Sequence, residues 1–194
     1  MKNLTVILGK TFSGKTTLLK DITENTAYQR VLTHTTRPPR IGEKDGRDYY
    51  FEKQIKSNAI ALRKYHVINN QIWSYWSTKE DLANLDYPLM IIDHQGFKDL
   101  VAALPDFDIQ GIYLNINSDT ILKRIVSHKS NRTQENKRES IRRLVDDTLN
   151  NFKDITKTPH IITATTNVQA KQLLLLRLEK LQKKDERHDK LSTS

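Results

Sequence analysis

Eight residues, "GKTFSGKT" (9 to 16), have the types and spacing to grip phosphate. Gly9 and Gly14 allow backbone geometry that other residues resist. Successive N–H groups can then converge on phosphate oxygens at a helix N-terminus. Lys15 adds a point charge toward the β- and γ-phosphates of a nucleotide, and the hydroxyl of Thr16 can ligate Mg²⁺. Thr17 follows in the same first helical turn. The string G-x-x-x-x-G-K-[ST] carries weight when it follows a strand and opens a helix. It does both here: "LTVIL" (4 to 8) precedes it and "KTTLLKDITE" follows with helical spacing.

A second stretch suits a second anion. "THTTRPPRIGEKDGRDYYF" (33 to 51) brackets a Pro-Pro pair with two arginines and follows with two tyrosines. Arginine forks bind phosphate bidentately and stay charged. Pro38 and Pro39 stiffen the spacing between Arg37 and Arg40. A site for two phosphates suggests transfer from one to the other.

This stretch resembles the nucleoside-monophosphate-binding signature of guanylate kinases. The resemblance implies that Thr33, Arg37, Arg40 and Tyr49 hold the 5′-phosphate of an acceptor nucleotide. It extends over most of the chain. "IIDHQG" (91 to 96) resembles the family's strand-end segment, with Ile91 in place of a usual aspartate. "NRTQENKRESIRRL" (131 to 144) resembles its lid and the helix after it. The implied lid arginines are Arg132 and Arg143, with Arg124 a few turns earlier; they close over the phosphates, neutralise charge and exclude water. Lys15, Arg132 and Arg143 are the implied catalytic groups. Arg138 and Arg142 read as surface charge. Asp93 ends the run "PLMIID" and is a candidate Mg²⁺ partner beside Thr16, since a carboxylate at the end of a parallel strand points into the ligand crevice.

One part of the resemblance departs. Family members carry a glutamate that reads guanine, ahead of a "YGT"-like segment. Here "YWST" (75 to 78) takes that segment's place, with Trp76 for the glycine and Ser77 keeping the hydroxyl. Counting back without gaps puts His66 where the glutamate belongs. Histidine does not reproduce a carboxylate's paired acceptance from two N–H donors. The implied acceptor is GMP or dGMP by family default, with base selectivity altered around His66, Trp76 and Ser77.

These motifs need a frame. Buried-strand candidates are 4–8, 30–34, 88–93, 110–116 and 160–165, with helical patterns at 96–104, 118–128, 136–153 and 167–184. Alternating strands and helices predict an α/β fold: a P-loop type parallel sheet flanked by helices. Residues 1–33 and 86–184 would form this core, with a helical lid at about 128–140. Residues 34–85 break the rhythm and are expected to form an inserted, small antiparallel lobe that binds the monophosphate. The charged end, 185–194, is expected to fray.

Composition bounds the partners. The chain has 194 residues, a formal net charge of +9 and no cysteine. Disulfides and thiolate metal sites are excluded. No apolar run approaches the ~20 residues of a membrane span, and "MKNLTVILGK" reads as a buried strand and not a signal peptide. A cytoplasmic enzyme using ATP and Mg²⁺ on small nucleotides, with no membrane or nucleic-acid partner, is the leading expectation. The arginines cluster at phosphate motifs, which ranks nucleic-acid binding last. A ribose 1,5-bisphosphate phosphokinase is the alternative enzyme; a non-catalytic guanylate kinase-like binding module is the alternative from another class, against which the intact Lys15 and Thr16 argue.

Overall fold

The computed structural model describes residues 2–66, 71–127 and 134–192. A five-stranded sheet, β1 (Lys2–Gly9), β2 (Gln29–Arg30), β7 (Pro88–Ile91), β8 (Phe107–Leu114) and β9 (Ile161–Ala164), runs in the order β2-β7-β1-β8-β9. Every neighbouring pair in it is parallel. This is the doubly covered α/β sheet that the alternation predicts. Strand β1 shows why both faces are buried. Leu4, Val6 and Leu8 join one core cluster with Met90, Phe97, Leu100 and Phe152. Ile7 joins the other, with Leu18, Leu19 and Ile22 of α1 (Lys15–Asn25) and Ile121, Ile125, Leu174 and Leu178. Side chains alternate across a strand, so consecutive apolar residues feed both layers.

The remaining helices are α2 (Glu80–Ala83), α3 (His94–Ala103), α4 (Ser118–Ser127), α5 (Gln134–Asp146) and α6 (Asn167–Ser192). Three expectations change. The helix foreseen over 136–153 ends its α portion at Asp146 and continues as a π-helical turn, Asp147–Asn151. The strand foreseen at 30–34 divides: Gln29 and Arg30 pair with β7, whereas His34–Thr35, as β3, belongs to a second sheet. The end foreseen as frayed continues α6 as far as Ser192. Propagating a helix adds one bond for each residue fixed, and Asp185 accepts a hydrogen bond from the Tyr87 hydroxyl at 2.9 Å.

The second sheet contains β3, β4 (Tyr50–Phe51), β5 (Ile60–His66) and β6 (Ile72–Ser77), in the order β4-β3-β6-β5. It is mixed, not purely antiparallel: β6 runs antiparallel to β3 and β5, but β3 and β4 pair in parallel. The long loop between β3 and β4 returns the chain in the same direction, and that loop carries both arginines of the anion-binding stretch.

Candidate active site

The phosphate loop follows β1 and ends in α1, as its motif requires. Gly14 takes a left-handed φ of 103° as the N-cap of α1. A side chain at Gly14 would also press on Asn167, whose Nδ2 would lie 2.9 Å from the added Cβ. The loop is braced from outside. Arg124, on α4, donates from Nη1 to the carbonyls of Phe12 and Ser13 at 3.1 and 3.0 Å.

Inside the loop, Lys15 Nζ donates to the Gly9 and Lys10 carbonyls at 2.6 and 2.8 Å. Burial costs its ammonium hydration and pulls its pKa down to about 8, against the opposing pull of the Asp147 charge. Asp147 is the first residue of the π-helical turn. Its Oδ2 accepts the Thr11 N–H at 2.7 Å, and its Oδ1 accepts from Asn151 at 3.0 Å. Burial pushes its carboxyl above the ordinary range despite those bonds.

The arginine stretch faces the same space. Arg37 is only 2% exposed. Its guanidinium makes four contacts: Nη1 and Nη2 meet the two Glu43 oxygens at 2.9 and 3.0 Å, Nη1 donates to the Pro38 carbonyl at 2.8 Å, and Nε donates to the Tyr75 hydroxyl at 3.2 Å. The rings of Tyr49 and Phe51 lie 5.2 and 5.7 Å from its central carbon. Arg40 is exposed, and its backbone N–H donates to Glu43 at 2.8 Å. Glu43 thus fixes both ends of the Arg-Pro-Pro-Arg string.

One cleft of about 390 Å³ joins these groups. Of the residues singled out from sequence, Gly9, Lys15, Thr16, Thr33, Arg37, Arg40, Tyr49, Ser77, Asp93 and Arg143 line it. Gly14 and Arg124 shape the loop from behind, and Thr17 is exposed in the first turn of α1. Arg132 lies outside the described residues. The backbone of His66 pairs with Ile72 at the hairpin end of β5; its side chain lies outside the described set.

Several cleft residues escaped the sequence. Arg142, read as surface charge, lines the cleft beside Arg143. Both bind Glu139, at 2.7 and 2.8 Å, and together they hold its carboxyl down to about 2. Tyr75 and Arg63 stand directly opposite each other on β6 and β5, and both line the cleft with Arg30, Asp146 and Asp147. Alternation along β6 was the available signal for Tyr75, two residues before Ser77. Nothing in the sequence marks Asp147, because a π turn is what presents it.

The foreseen metal role of Asp93 meets other commitments. Its Oδ1 caps α3 by accepting the Gly96 N–H at 2.7 Å, and its Oδ2 accepts from Arg63 Nε at 2.8 Å. Trp76, also singled out from sequence, lines the cleft too, although it is 1% exposed and stacks on His34 at 5.5 Å. Among the described residues, no three acidic or histidine groups form a metal cage, and no helix is long and apolar enough to cross a membrane.

Residues 1–170 match the protein family described as guanylate kinase. The chain is similar to guanylate kinase of Legionella pneumophila (strain Paris), 25% identical over 67% of this chain and 65% of the relative. It is also similar to guanylate kinase of Neisseria gonorrhoeae, 33% identical over 54% of each. The matched part thus spans about half to two-thirds of these relatives. In three dimensions it resembles the crystal structure of guanylate kinase from Anaplasma phagocytophilum, with a TM-score of 0.55 at 17% identity, covering 92% of this chain and 86% of the other. That likeness concerns the fold.

Proposed function

The chain belongs to the guanylate kinase family, and on that premise we propose that it phosphorylates a nucleoside 5′-monophosphate from ATP. The observation that carries this reading is the sharing of one cleft by Lys15 and Thr16 of the phosphate loop and by Arg37, Arg40, Tyr49 and Tyr75 of the second lobe.

In this reading the loop N–H groups and Lys15 bind the triphosphate. Lys15 leaves the Gly9 and Lys10 carbonyls to do so. Arg40 and the Tyr49 and Tyr75 hydroxyls hold the acceptor 5′-phosphate, and Arg37 adds its charge from below, already oriented by Glu43. An acceptor phosphate oxygen attacks the γ-phosphorus, the bond to the β–γ bridging oxygen breaks, and ADP leaves. No protein group needs to bond to the phosphoryl; positioning and charge neutralisation do the work. Arg142 and Arg143 supply neutralising charge from α5, on the wall facing the loop, and Arg132 is assigned to the lid.

Mg²⁺ fits the donors available. It typically keeps several waters and is held by one or two protein oxygens with substrate phosphates. Thr16, exposed at the start of α1, would hold it, and the ion would supply positive charge to offset that of the phosphates. Asp93 is left to Arg63 and Gly96. The cytoplasm, where ATP and monophosphates are available, is the proposed setting.

ADP release with ATP and Mg²⁺ tests the reading against GMP, dGMP, dTMP, dUMP, AMP and ribose 1,5-bisphosphate. Turnover with at least one monophosphate is expected. Turnover with ribose 1,5-bisphosphate alone, or with no acceptor, overturns it.

A further inference from the structure

The π-helical turn, Asp147–Asn151, meets the phosphate loop at one end and α3 at the other. A π turn inside a helix recurs at functional sites, and helical backbone in proteins owes most of its stability to what it packs against. We infer that His94, the first residue of α3, is a positioning residue for the phosphate loop: it fastens the turn that sets the Asp147 carboxylate on the Thr11 N–H, so that nucleotide phosphate has a built-in competitor for this donor. This rests on the reading that the loop takes ATP, and it adds a control over the affinity.

A continuous path of hydrogen bonds carries the inference. Asp147 Oδ2 accepts from the Thr11 N–H at 2.7 Å, and its Oδ1 accepts from the Asn151 side-chain amide at 3.0 Å. The same amide reaches Asp146 Oδ2 at 3.1 Å. One side chain thus holds both acids where α5 gives way to the π turn. The backbone carbonyl of Asn151 lies 3.0 Å from His94 Nδ1. A carbonyl only accepts, so Nδ1 carries the proton. On the other side of the ring, Nε2 meets the Thr158 hydroxyl at 2.6 Å, just ahead of β9. His94 is 5% exposed, and burial holds its pKa below the ordinary value. That favours the neutral ring, with Nε2 accepting from Thr158.

Ring packing fixes the same end of the turn. Phe152 follows it directly, and its N–H closes on the Asp147 carbonyl at 3.0 Å. The Phe152 ring stacks on His94 at 6.4 Å and on Tyr113 of β8 at 5.4 Å. The far end of the turn is therefore tied to α3 and β8, while its first carboxylate points at the loop. A histidine that only filled the core would make no difference to phosphate binding. This one stands on a path from Thr158 through Asn151 and Asp147 to Thr11. Loosening the turn lowers the effective concentration of the carboxylate at that N–H.

Calorimetric ATP binding and NMR exchange of the Thr11 amide test this in the full chain. His94→Leu loses both ring contacts. It is expected to melt lower, to exchange the Thr11 amide faster, and yet to bind ATP roughly three- to fivefold more tightly, the size of one hydrogen bond. His94→Asn places an amide N–H near the Nδ1 position and should restore the original affinity and exchange. His94→Gln, whose amide falls near Nε2, should behave like His94→Leu. Asn and Gln are both polar amides, so their comparison decides the matter even where His94→Leu does not fold. In an Asp147→Asn background, where the competing charge is gone, His94→Leu should change ATP affinity by less than about twofold. ATP binding weakened equally in both backgrounds, equal behaviour of His94→Asn and His94→Gln, or unchanged exchange at Thr11 overturns the inference. Absence of ATP binding in the unaltered chain and in every variant overturns it together with the loop's assignment. Normal ATP binding without ADP release for any monophosphate sinks the kinase reading alone.

Discussion

Asp147 Oδ2 accepts the backbone N–H of Thr11 at 2.7 Å, inside the phosphate loop. A carboxylate of the chain thus takes up one of the loop's N–H donors. It also sits close enough to Lys15 for each to shift the other's proton affinity. On the proposed kinase reading, nucleotide phosphate entering the loop would meet this carboxylate.

Asp147→Asn keeps the shape and removes the charge. At pH 7, where Lys15 stays protonated, ATP binding should tighten roughly three- to tenfold, the size of one modest electrostatic contact. Titration calorimetry measures it directly. Weaker binding in the variant would mean that the carboxylate supports the nucleotide, for instance by positioning Lys15.

The depressed Lys15 value sets a pH limit. Below about 8 the free enzyme holds the ammonium; above it the neutral amine dominates and the loop loses its charge. The kcat/KM for ATP reports groups of the free enzyme, so it should fall as pH rises through about 8. Lys15→Arg, which cannot lose its proton in this range, should lack that falling limb even if its rate is low. Lys15→Ala should lose nearly all transfer at every pH. A profile flat through pH 9 in the unaltered chain would contradict the assigned charge state.

Arg37 and Arg40 should separate, although the sequence presents them as equals. Arg37 is buried against Glu43, so Arg37→Ala leaves a half-buried carboxylate without its cation; about 3 kcal/mol of stability should be lost along with acceptor binding. Arg40 is exposed, and Arg40→Ala should change stability by no more than about 0.5 kcal/mol while raising the acceptor KM. Urea unfolding beside steady-state kinetics checks both. Equal stability losses would show that the Arg37–Glu43 pair is energetically idle.

Arg124 braces the phosphate loop through two backbone carbonyls and does not line the cleft. Arg124→Ala should raise the KM for ATP roughly tenfold, the size of one lost charged hydrogen bond, and leave the acceptor KM nearly unchanged. Arg124→Lys should recover little, since one ammonium does not reproduce the fork's placement. An effect confined to the acceptor would move Arg124 to the other substrate.

The sequence by itself determined the parts of this protein that are contiguous. Gly9 through Thr16 carry their chemistry in one loop, because the strand before it and the helix after it are adjacent in the chain. Arg37, Arg40 and Tyr49 likewise lie within a single stretch held by Glu43, six residues from Arg37. The parallel sheet was legible because strands buried on both faces read as near-continuous apolar runs, as in β1. Tertiary structure decided what depends on register and on the meeting of distant segments. A gap-free count reached His66, but pairing between strands, with a bulge at Ala61, brings Arg63 opposite Tyr75. A one-residue slip in a strand exchanges its faces, so spacing cannot say which side chain looks into a cleft. Asp147 reaches Thr11 across 136 positions only because the helix relaxes into a π turn there. Asp93 stands at the strand end foreseen from sequence, and only its position in space sets it against Arg63, thirty residues earlier.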